Sequence, residues 1–302
     1  MSFVARPSYR WKLRNRSLEL GRRTLVMGIL NVTPDSFSDG GHFYTPEEAP
    51  QRALEHALSM LEQGADLIDI GGESTRPGAT PLSAGEEQAR VMPVIEAILR
   101  ERPQAILSID TFHASTAQVA IEAGAEIVND VSGHLWDPEM TQSCAHLSCG
   151  NILMHARGKP SEWRTLPPLS PDEVMPMILK DLGDRVRTAE AAGIERDRIV
   201  IDPGIGFGKR LDENFPILAH LEQMHQLGLP ILVGASRKSF LMRVLATQKE
   251  GSRLNTTTAA NVAAALAGVH LVRVHDVQTA VEASAIADRI LDSLDRGFSE
   301  SS

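Results

Sequence analysis

The sequence predicts an α/β fold, a TIM (β/α)8 barrel whose floor is closed by an N-terminal β-hairpin. Short runs rich in Val, Ile and Leu occur eight times, each followed by a helical pattern and each ending in a polar residue or a glycine turn. Continuous apolar runs are typical of parallel strands that helices cover on both faces. In such a barrel the chemistry lies where the strands end, so the same pattern also locates the site.

The eight runs, in chain order, predict the barrel strands. They are Leu25–Leu30 before Asn31, Leu67–Ile68 before Asp69, Ile106–Ile109 before Asp110, Glu126–Val128 before Asn129, Ile152–Met154 before His155, Ile199–Ile201 before Asp202, Ile231–Val233 before Gly234-Ala235-Ser236, and Leu271–Val274 before His275. The helical patterns cover residues 47–63, 84–101, 114–123, 138–148, 171–192, 213–227, 239–246, 256–268 and 277–294. Ser170, Pro171 and Glu173 give the fifth helix a clear start, as N-cap, first helical residue and capping box.

Residues 1–24 alternate polar and apolar side chains, as a hairpin does. Tyr9, Trp11 and Leu13 alternate with basic residues, and Leu18 and Leu20 alternate again after a turn at Arg14–Ser17. This period of two predicts two strands that close the barrel floor. We therefore divide the chain into a hairpin extension (1–24), the barrel (25–296) and a C-terminal tail (297–302).

Composition excludes several classes of function. The 302 residues carry a net charge of -9, which argues against nucleic acid or an anionic membrane as partner. No apolar run approaches the roughly 18 residues of a membrane-spanning helix, and the Arg-rich start lacks the apolar segment of a secretory signal. Only Cys144 and Cys149 are present, which indicates a reducing cytoplasm and small buried side chains rather than a disulfide framework.

Long loops and a basic cluster follow the predicted strands. Residues 31–46 and 71–83 are long and rich in glycine, and long loops on the catalytic rim of a barrel are commonly lids. The loop at 156–170 contains Pro167-Pro168, which favours rigid packing. Five basic residues at or just beyond strand ends predict an anion site: Arg76, Arg237, Lys238, Arg273 and His275. The glycines at 204–208 do not form a nucleotide phosphate loop, because their spacing to Lys209 is wrong.

Seven motifs resemble the dihydropteroate synthase family. They are MGILNVTPDSFSDGG at 27–41, DIGGESTRPGA at 69–79, SIDT at 108–111, NDVSG at 129–133, DPGIGFGK at 202–209, SRKSF at 236–240 and RVHDV at 273–277. The resemblance implies a cytoplasmic transferase of folate biosynthesis that joins 6-hydroxymethyl-7,8-dihydropterin pyrophosphate to p-aminobenzoate, with Mg²⁺, and a homodimer is expected. A pterin-dependent methyltransferase would lack the two long loops, and a non-catalytic pterin-binding paralogue would have lost loop residues such as Asn31 or Arg76.

The pterin edge presents N–H donors, so its pocket needs acceptors deep in the barrel. Asp110, Asn129 and Asp202, after the third, fourth and sixth strands, supply them and match the family's pterin contacts. The alternative for Asp110 is a helix cap. The resemblance adds Lys238 on the acceptor side of the pterin and Arg273 against its ring. It also implies that Met154 and Phe207 pack on the pterin, although both could be simple core residues.

The pyrophosphate needs cations. The resemblance implies that Asn31 lies beside Mg²⁺ and that the anion site comprises Asn31, Thr75, Arg76, Arg273 and His275. A magnesium ion keeps waters and phosphate oxygens, so one protein ligand suffices. His275 could instead be an ordinary rim histidine.

The benzoate and the chemistry complete the expected site. Ser239 opens a short helix whose N-terminus favours a carboxylate, and the other predicted p-aminobenzoate contacts are Phe37, Thr75, Arg76 and Pro77. The implied mechanism is dissociative: pyrophosphate departs and the amine captures a pterin methylene cation. The catalytic residues expected from the resemblance are Asn31, Asp39, Lys238, Arg273 and His275, of which Asp39 would assist the amine or the leaving group.

Overall fold

Parallel strands close into the predicted barrel in the computed structural model, which describes residues 3–33, 49–73 and 82–295. The hairpin consists of β1 (Tyr9–Lys12) and β2 (Ser17–Leu20). The barrel strands are β3 (Leu25–Asn31), β4 (Leu67–Gly71), β5 (Leu107–Asp110), β6 (Ile127–Asp130), β7 (Gly150–Met154), β8 (Ile199–Asp202), β9 (Leu232–Val233) and β10 (Leu271–Val274). All eight predicted barrel strands are confirmed.

The strand order shows how the barrel closes. Neighbours in the sheet run β8-β7-β6-β5-β4-β3-β10-β9, all parallel. A parallel bridge between Ile201 and Ile231 joins the two ends, and Ile201 N donates to Pro230 O at 3.0 Å. Several polar residues predicted to follow a strand instead belong to it, because Asp110, Asn129 and Asp202 remain in register with the neighbouring strand. Their side chains are therefore fixed by the sheet.

Helices surround the barrel in the described part of the chain. They are α1 (Ala49–Glu62), α2 (Ala84–Glu101), α3 (Ala114–Glu122), α4 (Met140–Leu147), α5 (Pro171–Ala191), α6 (Phe215–Ala219), α7 (Ser239–Arg243), α8 (Ser252–Leu266) and α9 (Val277–Asp295). None of the described helices is both long enough and apolar enough to span a bilayer. The capping box predicted for α5 is present, with Ser170 N donating to Glu173 Oε2 at 2.8 Å.

Three helix predictions were wrong in extent, one of them for α7, which ends at Arg243 rather than at residue 246. The single helix expected over 213–227 is a 3-10 segment at Leu211–Asn214, the short α6, and a second 3-10 segment at Leu221–Leu227. Pro216 lacks an N–H and is tolerated only in a first turn, so the α-helix starts beside it, and His220 (φ -129, ψ 26) ends it. Helix α8 begins at Ser252 rather than 256, because Gly251 in the left-handed region provides an earlier start.

The hairpin forms the floor of the barrel, as predicted. Trp11, Leu13 and Leu20 are buried against the N-terminal ends of the strands, and Trp11 Nε1 donates to Arg198 O at 3.1 Å. Gly150 opens β7 directly above them: a Cβ there would lie 2.8 Å from Leu13 Cδ2. The hairpin closes one end of the barrel, and the strand ends carrying the predicted site face the other.

Candidate active site

The carboxyl ends of the strands surround a cavity of about 600 Å³, a size suited to a small organic ligand. Ten of the residues predicted from the sequence line it: Asn31, Asp110, Asn129, Met154, Asp202, Phe207, Arg237, Lys238, Arg273 and His275. These residues come from six barrel strands and from the loops after β8, β9 and β10. The fold therefore brings together groups that are up to 244 positions apart in the chain, from Asn31 to His275.

Six predicted site residues are not seen at the cavity. Ser239 is the first residue of α7 and is exposed, but it does not line the cavity. The other five lie on the two long loops, outside the described residues: Phe37, Asp39, Thr75, Arg76 and Pro77. Their roles stay predictions.

Arg273 links two carboxylates, those of Asp69 and Asp110, on one side of the cavity. Its Nε donates to Asp69 Oδ2 and its Nη2 donates to Asp110 Oδ2, both at 2.6 Å. The same Asp69 oxygen accepts a hydrogen bond from Asn129 Nδ2 at 2.9 Å. Two carboxylates therefore hold the guanidinium, and Arg273 and Asn129 share one acceptor. Asp69 was not singled out as a site residue from the sequence, although it follows the second apolar run.

Burial and the oppositely charged neighbours act in opposite directions on the pKa values of Asp110 and Arg273. Burial raises the pKa of Asp110 to about 7, against the lowering effect of the Arg273 charge. For Arg273, burial acts to lower the pKa, but Asp69 and Asp110 outweigh it and the net pKa is raised. Asp110 does not cap α3, whose N-cap is His113 and whose Ala114 N donates to Asp137 Oδ2 at 2.8 Å. The cap alternative for Asp110 is thereby excluded.

Asp202 lies across the cavity at the end of β8 and is 4% exposed. Burial raises its pKa to about 6, opposed by the hydrogen bond from Gly204 N to Asp202 Oδ1 at 2.6 Å. Gly204 has φ +65, and a Cβ there would fall 1.9 Å from His155 O. Glycine is therefore required for the turn that holds the carboxylate.

The loop after β8 is fixed by a buried lysine. Lys209 Nζ donates to three backbone carbonyls, His155 O at 2.9 Å, Pro203 O at 2.7 Å and Gly204 O at 2.8 Å. Three acceptors match the three N–H groups of an ammonium. Burial lowers the pKa of Lys209 well below its ordinary value, with Asp202 opposing the change. Lys209 thus shapes the loop and does not line the cavity.

Lys238 and Phe207 form one wall. The Lys238 ammonium lies 4.1 Å from the centre of the Phe207 ring, a cation–π distance. Burial, with help from the Arg273 charge, lowers the pKa of Lys238 to about 8. Trp163, from the 156–170 loop, contacts Phe207 edge-on at 5.7 Å. The 156–170 loop therefore supports the aromatic wall from behind.

The basic rim of the cavity contains predicted and unpredicted residues. His275 Nδ1 lies 3.0 Å from Ser236 Oγ, and both groups line the cavity. Arg237, also predicted, joins them, whereas Arg253 and His56 were missed. Arg253 lies on α8 and His56 lies on α1, so a pattern of polar residues at strand ends could not predict them.

Comparison with known proteins decides the family. A family model described as pterin binding enzyme matches residues 27–275. The dihydropteroate synthase of Bacillus subtilis is 42% identical, and the match covers 91% of this chain and 92% of that protein. The chain belongs to the dihydropteroate synthase family. A solved structure titled as Xanthomonas albilineans dihydropteroate synthase with 4-aminobenzoic acid has a TM-score of 0.83 and 39% identity, covering 96% of this chain and all of that one (100%).

Family membership makes the chain a transferase of folate biosynthesis, which confirms the class predicted from the motifs. Some relatives are larger. The mitochondrial folate synthesis bifunctional protein of Pisum sativum is 41% identical over 92% of this chain, yet the chain spans only 55% of that protein's length. The part they share includes the barrel and the strand-end residues described above.

Proposed function

We propose that this cavity joins 6-hydroxymethyl-7,8-dihydropterin pyrophosphate to p-aminobenzoate and releases 7,8-dihydropteroate and pyrophosphate. The observation that carries the proposal is the set of acceptors Asp110, Asn129 and Asp202 at the base of a cavity whose rim is basic. Acceptors suit the donor edge of a pterin, and a basic rim suits a pyrophosphate. A ligand without those donors would leave the remaining acceptor oxygens of these side chains unsatisfied, which selects against it.

The pterin is proposed to lie between the walls of the cavity. Asp110, Asn129 and Asp202 accept from its edge, and Lys238 donates to its acceptor side. Arg273, held by Asp69 and Asp110, presents a planar guanidinium that can stack on the ring. Met154 and Phe207 supply apolar contacts at the cavity surface.

The pyrophosphate is proposed to bind at the rim, near Asn31, Arg273 and His275. Asn31 ends β3 and lines the cavity, and the described residues contain no group of three His, Cys, Asp or Glu able to hold a metal. One amide oxygen fits a magnesium ion that keeps waters and phosphate oxygens as its other ligands. When bound, Mg²⁺ would neutralise charge on the departing pyrophosphate. Thr75 and Arg76 are proposed to join this site from the second long loop.

The benzoate is proposed to lie over the cavity mouth. Phe37, Thr75, Arg76 and Pro77 would cover it, and Ser239 would bind its carboxylate. In the reaction, the bond between the pterin methylene carbon and the pyrophosphate oxygen breaks, and the aniline nitrogen forms a bond to that carbon and loses a proton. Asp39 is proposed to assist this amine or the leaving group. The protein's part is charge stabilisation and positioning, without a covalent intermediate.

A pyrophosphate-release assay tests the proposal. Purified protein with the dihydropterin pyrophosphate and Mg²⁺ should release pyrophosphate only when p-aminobenzoate is present, in a 1:1 ratio with dihydropteroate, and a chelator should abolish turnover. Asn31→Ala should lower turnover while leaving the melting temperature nearly unchanged, because the side chain lies on the rim. Tight pterin binding without any turnover would instead favour a non-catalytic paralogue.

We also propose that the chain acts in the cytoplasm as a homodimer. Cys144 and Cys149 are both free and buried, which suits a reducing compartment. On α9, Ile286, Ile290 and Leu294 are 66%, 37% and 53% exposed, and their spacing of four residues aligns them along one face. A second copy of the chain is the partner proposed to cover this face.

A further inference from the structure

Asp69 lies directly behind the proposed pterin pocket and touches two of its residues. It is fully buried on β4, and its Oδ2 accepts from Arg273 Nε at 2.6 Å and from Asn129 Nδ2 at 2.9 Å. Its Oδ1 is buried and has no hydrogen-bond partner among the described residues. We propose that Asp69 is the positioning residue that sets which end of the Asn129 amide faces the substrate, an inference that rests on the proposed function.

The chemistry of the pair determines the orientation. An amide has a donor end and an acceptor end, whereas the Asp69 oxygen between Arg273 and Asn129 only accepts. Because Asn129 gives its Nδ2 group to Asp69, its Oδ1 is the end left for the cavity that Asn129 lines. Without this partner, either end of the amide could face the ligand.

The consequence is a matched set of acceptors. With Asn129 fixed in this way, the pocket offers Asn129 Oδ1 together with the carboxylates of Asp110 and Asp202. Such a set accepts a ring edge that carries only donors and rejects one in which a carbonyl replaces an amine. Asp69 therefore acts on the selectivity of the pocket through Asn129, without touching the ligand.

Asp69 also holds the ring-stacking cation. Arg273 donates from Nε to Asp69 and from Nη2 to Asp110, so two carboxylates fix the plane of the guanidinium. Bonds in that plane leave its flat face available to a ring. One buried carboxylate thus orients both an edge contact and a face contact of the same ligand.

A double-mutant cycle tests the inference, with 6-hydroxymethylpterin as the probe and its fluorescence as the signal. The proteins are the wild type, Asp69→Asn, Asn129→Asp and the double variant. Asp69→Asn keeps an acceptor oxygen and should weaken binding only a few-fold. Asn129→Asp places a carboxylate against Asp69 and should weaken binding about tenfold or more. In the double variant the amide introduced at position 69 can donate to the new carboxylate, so binding should be about tenfold stronger than the product of the single effects.

Controls separate this role from simple stability. Ser108 is the register partner of Asp69 on β5, and its buried hydroxyl also has no partner among the described residues. Ser108→Ala should leave pterin affinity unchanged, and melting temperatures of all variants report folding. If all variants fold and the two single effects on pterin affinity simply multiply in the double variant, the inference about Asp69 is overturned, but the proposed function is not. A wild-type protein that does not bind the pterin would overturn the proposed function as well.

Discussion

Asp110 and Asp202 present carboxylates to the cavity at a cost in desolvation. Burial raises their pKa values to about 7 and about 6, although Arg273 opposes the shift at Asp110 and Gly204 N opposes it at Asp202. A carboxylate kept in such a setting is well suited to a ligand that brings donors of its own. The raised pKa values therefore support a binding role for both residues.

Replacing either carboxylate by an amide should weaken pterin binding. Asp110→Asn or Asp202→Asn keeps the shape but can place an N–H group against the ligand's donors, which costs about 1–3 kcal/mol per mispaired group. Fluorescence titration with 6-hydroxymethylpterin measures the loss. Asp184→Asn is the matched control, because its carboxylate is on the surface and pairs with Lys180 at 3.1 Å. Unchanged affinity in both site variants would contradict the assignment.

Pterin affinity should fall on acidification through the range of about pH 7 to 6. The ionised carboxyls are the acceptors, so affinity is complete above their raised pKa values and is lost as each becomes protonated. Measurements of pterin affinity between pH 5 and pH 8, which extend about one pH unit beyond the two pKa values, would show this. The free pterin is titrated in parallel. Asp110→Asn should remove the upper part of the pH dependence. A flat profile in the wild type would show that neither carboxyl titrates in this range.

At the scale of elements, the strands could be predicted and some helices could not. Each barrel strand is buried on both faces, so its apolar run is a strong local signal. The segment at 211–227 has an apolar helical pattern, but Pro216 and His220 divide it, and periodicity does not report backbone breaks. Site residues at strand ends were found from the sequence. Asp69 was missed because its role depends on which side chains meet it across the barrel.

The loop after β8 gives a test at the same scale. Lys209→Met removes three buried hydrogen bonds to backbone carbonyls, and each buried acceptor left unsatisfied costs about 1–3 kcal/mol. Pterin affinity should fall as well, because Gly204 and Phe207 lie on this loop. Thermal melting and pterin titration measure the two effects. Lys180→Met on α5 is the control, since that side chain is 74% exposed; equal behaviour of the two variants would rule out the bracing role of Lys209.

At the scale of the whole molecule, the apolar face of α9 should control assembly. Ile286→Asp puts a charge among three exposed apolar side chains and should convert the proposed dimer into a monomer without loss of fold. Sedimentation velocity reports the mass of the assembly. Leu135→Asp is the control, because Leu135 is 60% exposed on a loop far along the chain from α9. A wild-type protein that sediments as a monomer would refute the proposal.

A substitution in the floor of the barrel should lower stability without changing pterin affinity at the other end. Trp11 is fully buried in the floor, where it packs with Leu13 and Leu20 and donates to Arg198 O. Trp11→Ala should lower the free energy of unfolding by about 3–5 kcal/mol, through lost burial and the cavity left behind. The pterin pocket lies at the opposite end of the strands, so affinity measured where the variant is still folded should equal that of the wild type.

Denaturant unfolding and pterin titration of the same samples check both parts of this expectation. Arg10→Ala is the matched control in the neighbouring position of β1. Its side chain is 68% exposed and its ion pair with Glu19 spans 3.9 Å, so its effect should stay within about 0.5 kcal/mol. Loss of pterin affinity in folded Trp11→Ala would mean that the floor transmits strain along the strands to the site. An unchanged free energy of unfolding in Trp11→Ala would mean that the hairpin does not contribute to the stability of the barrel core.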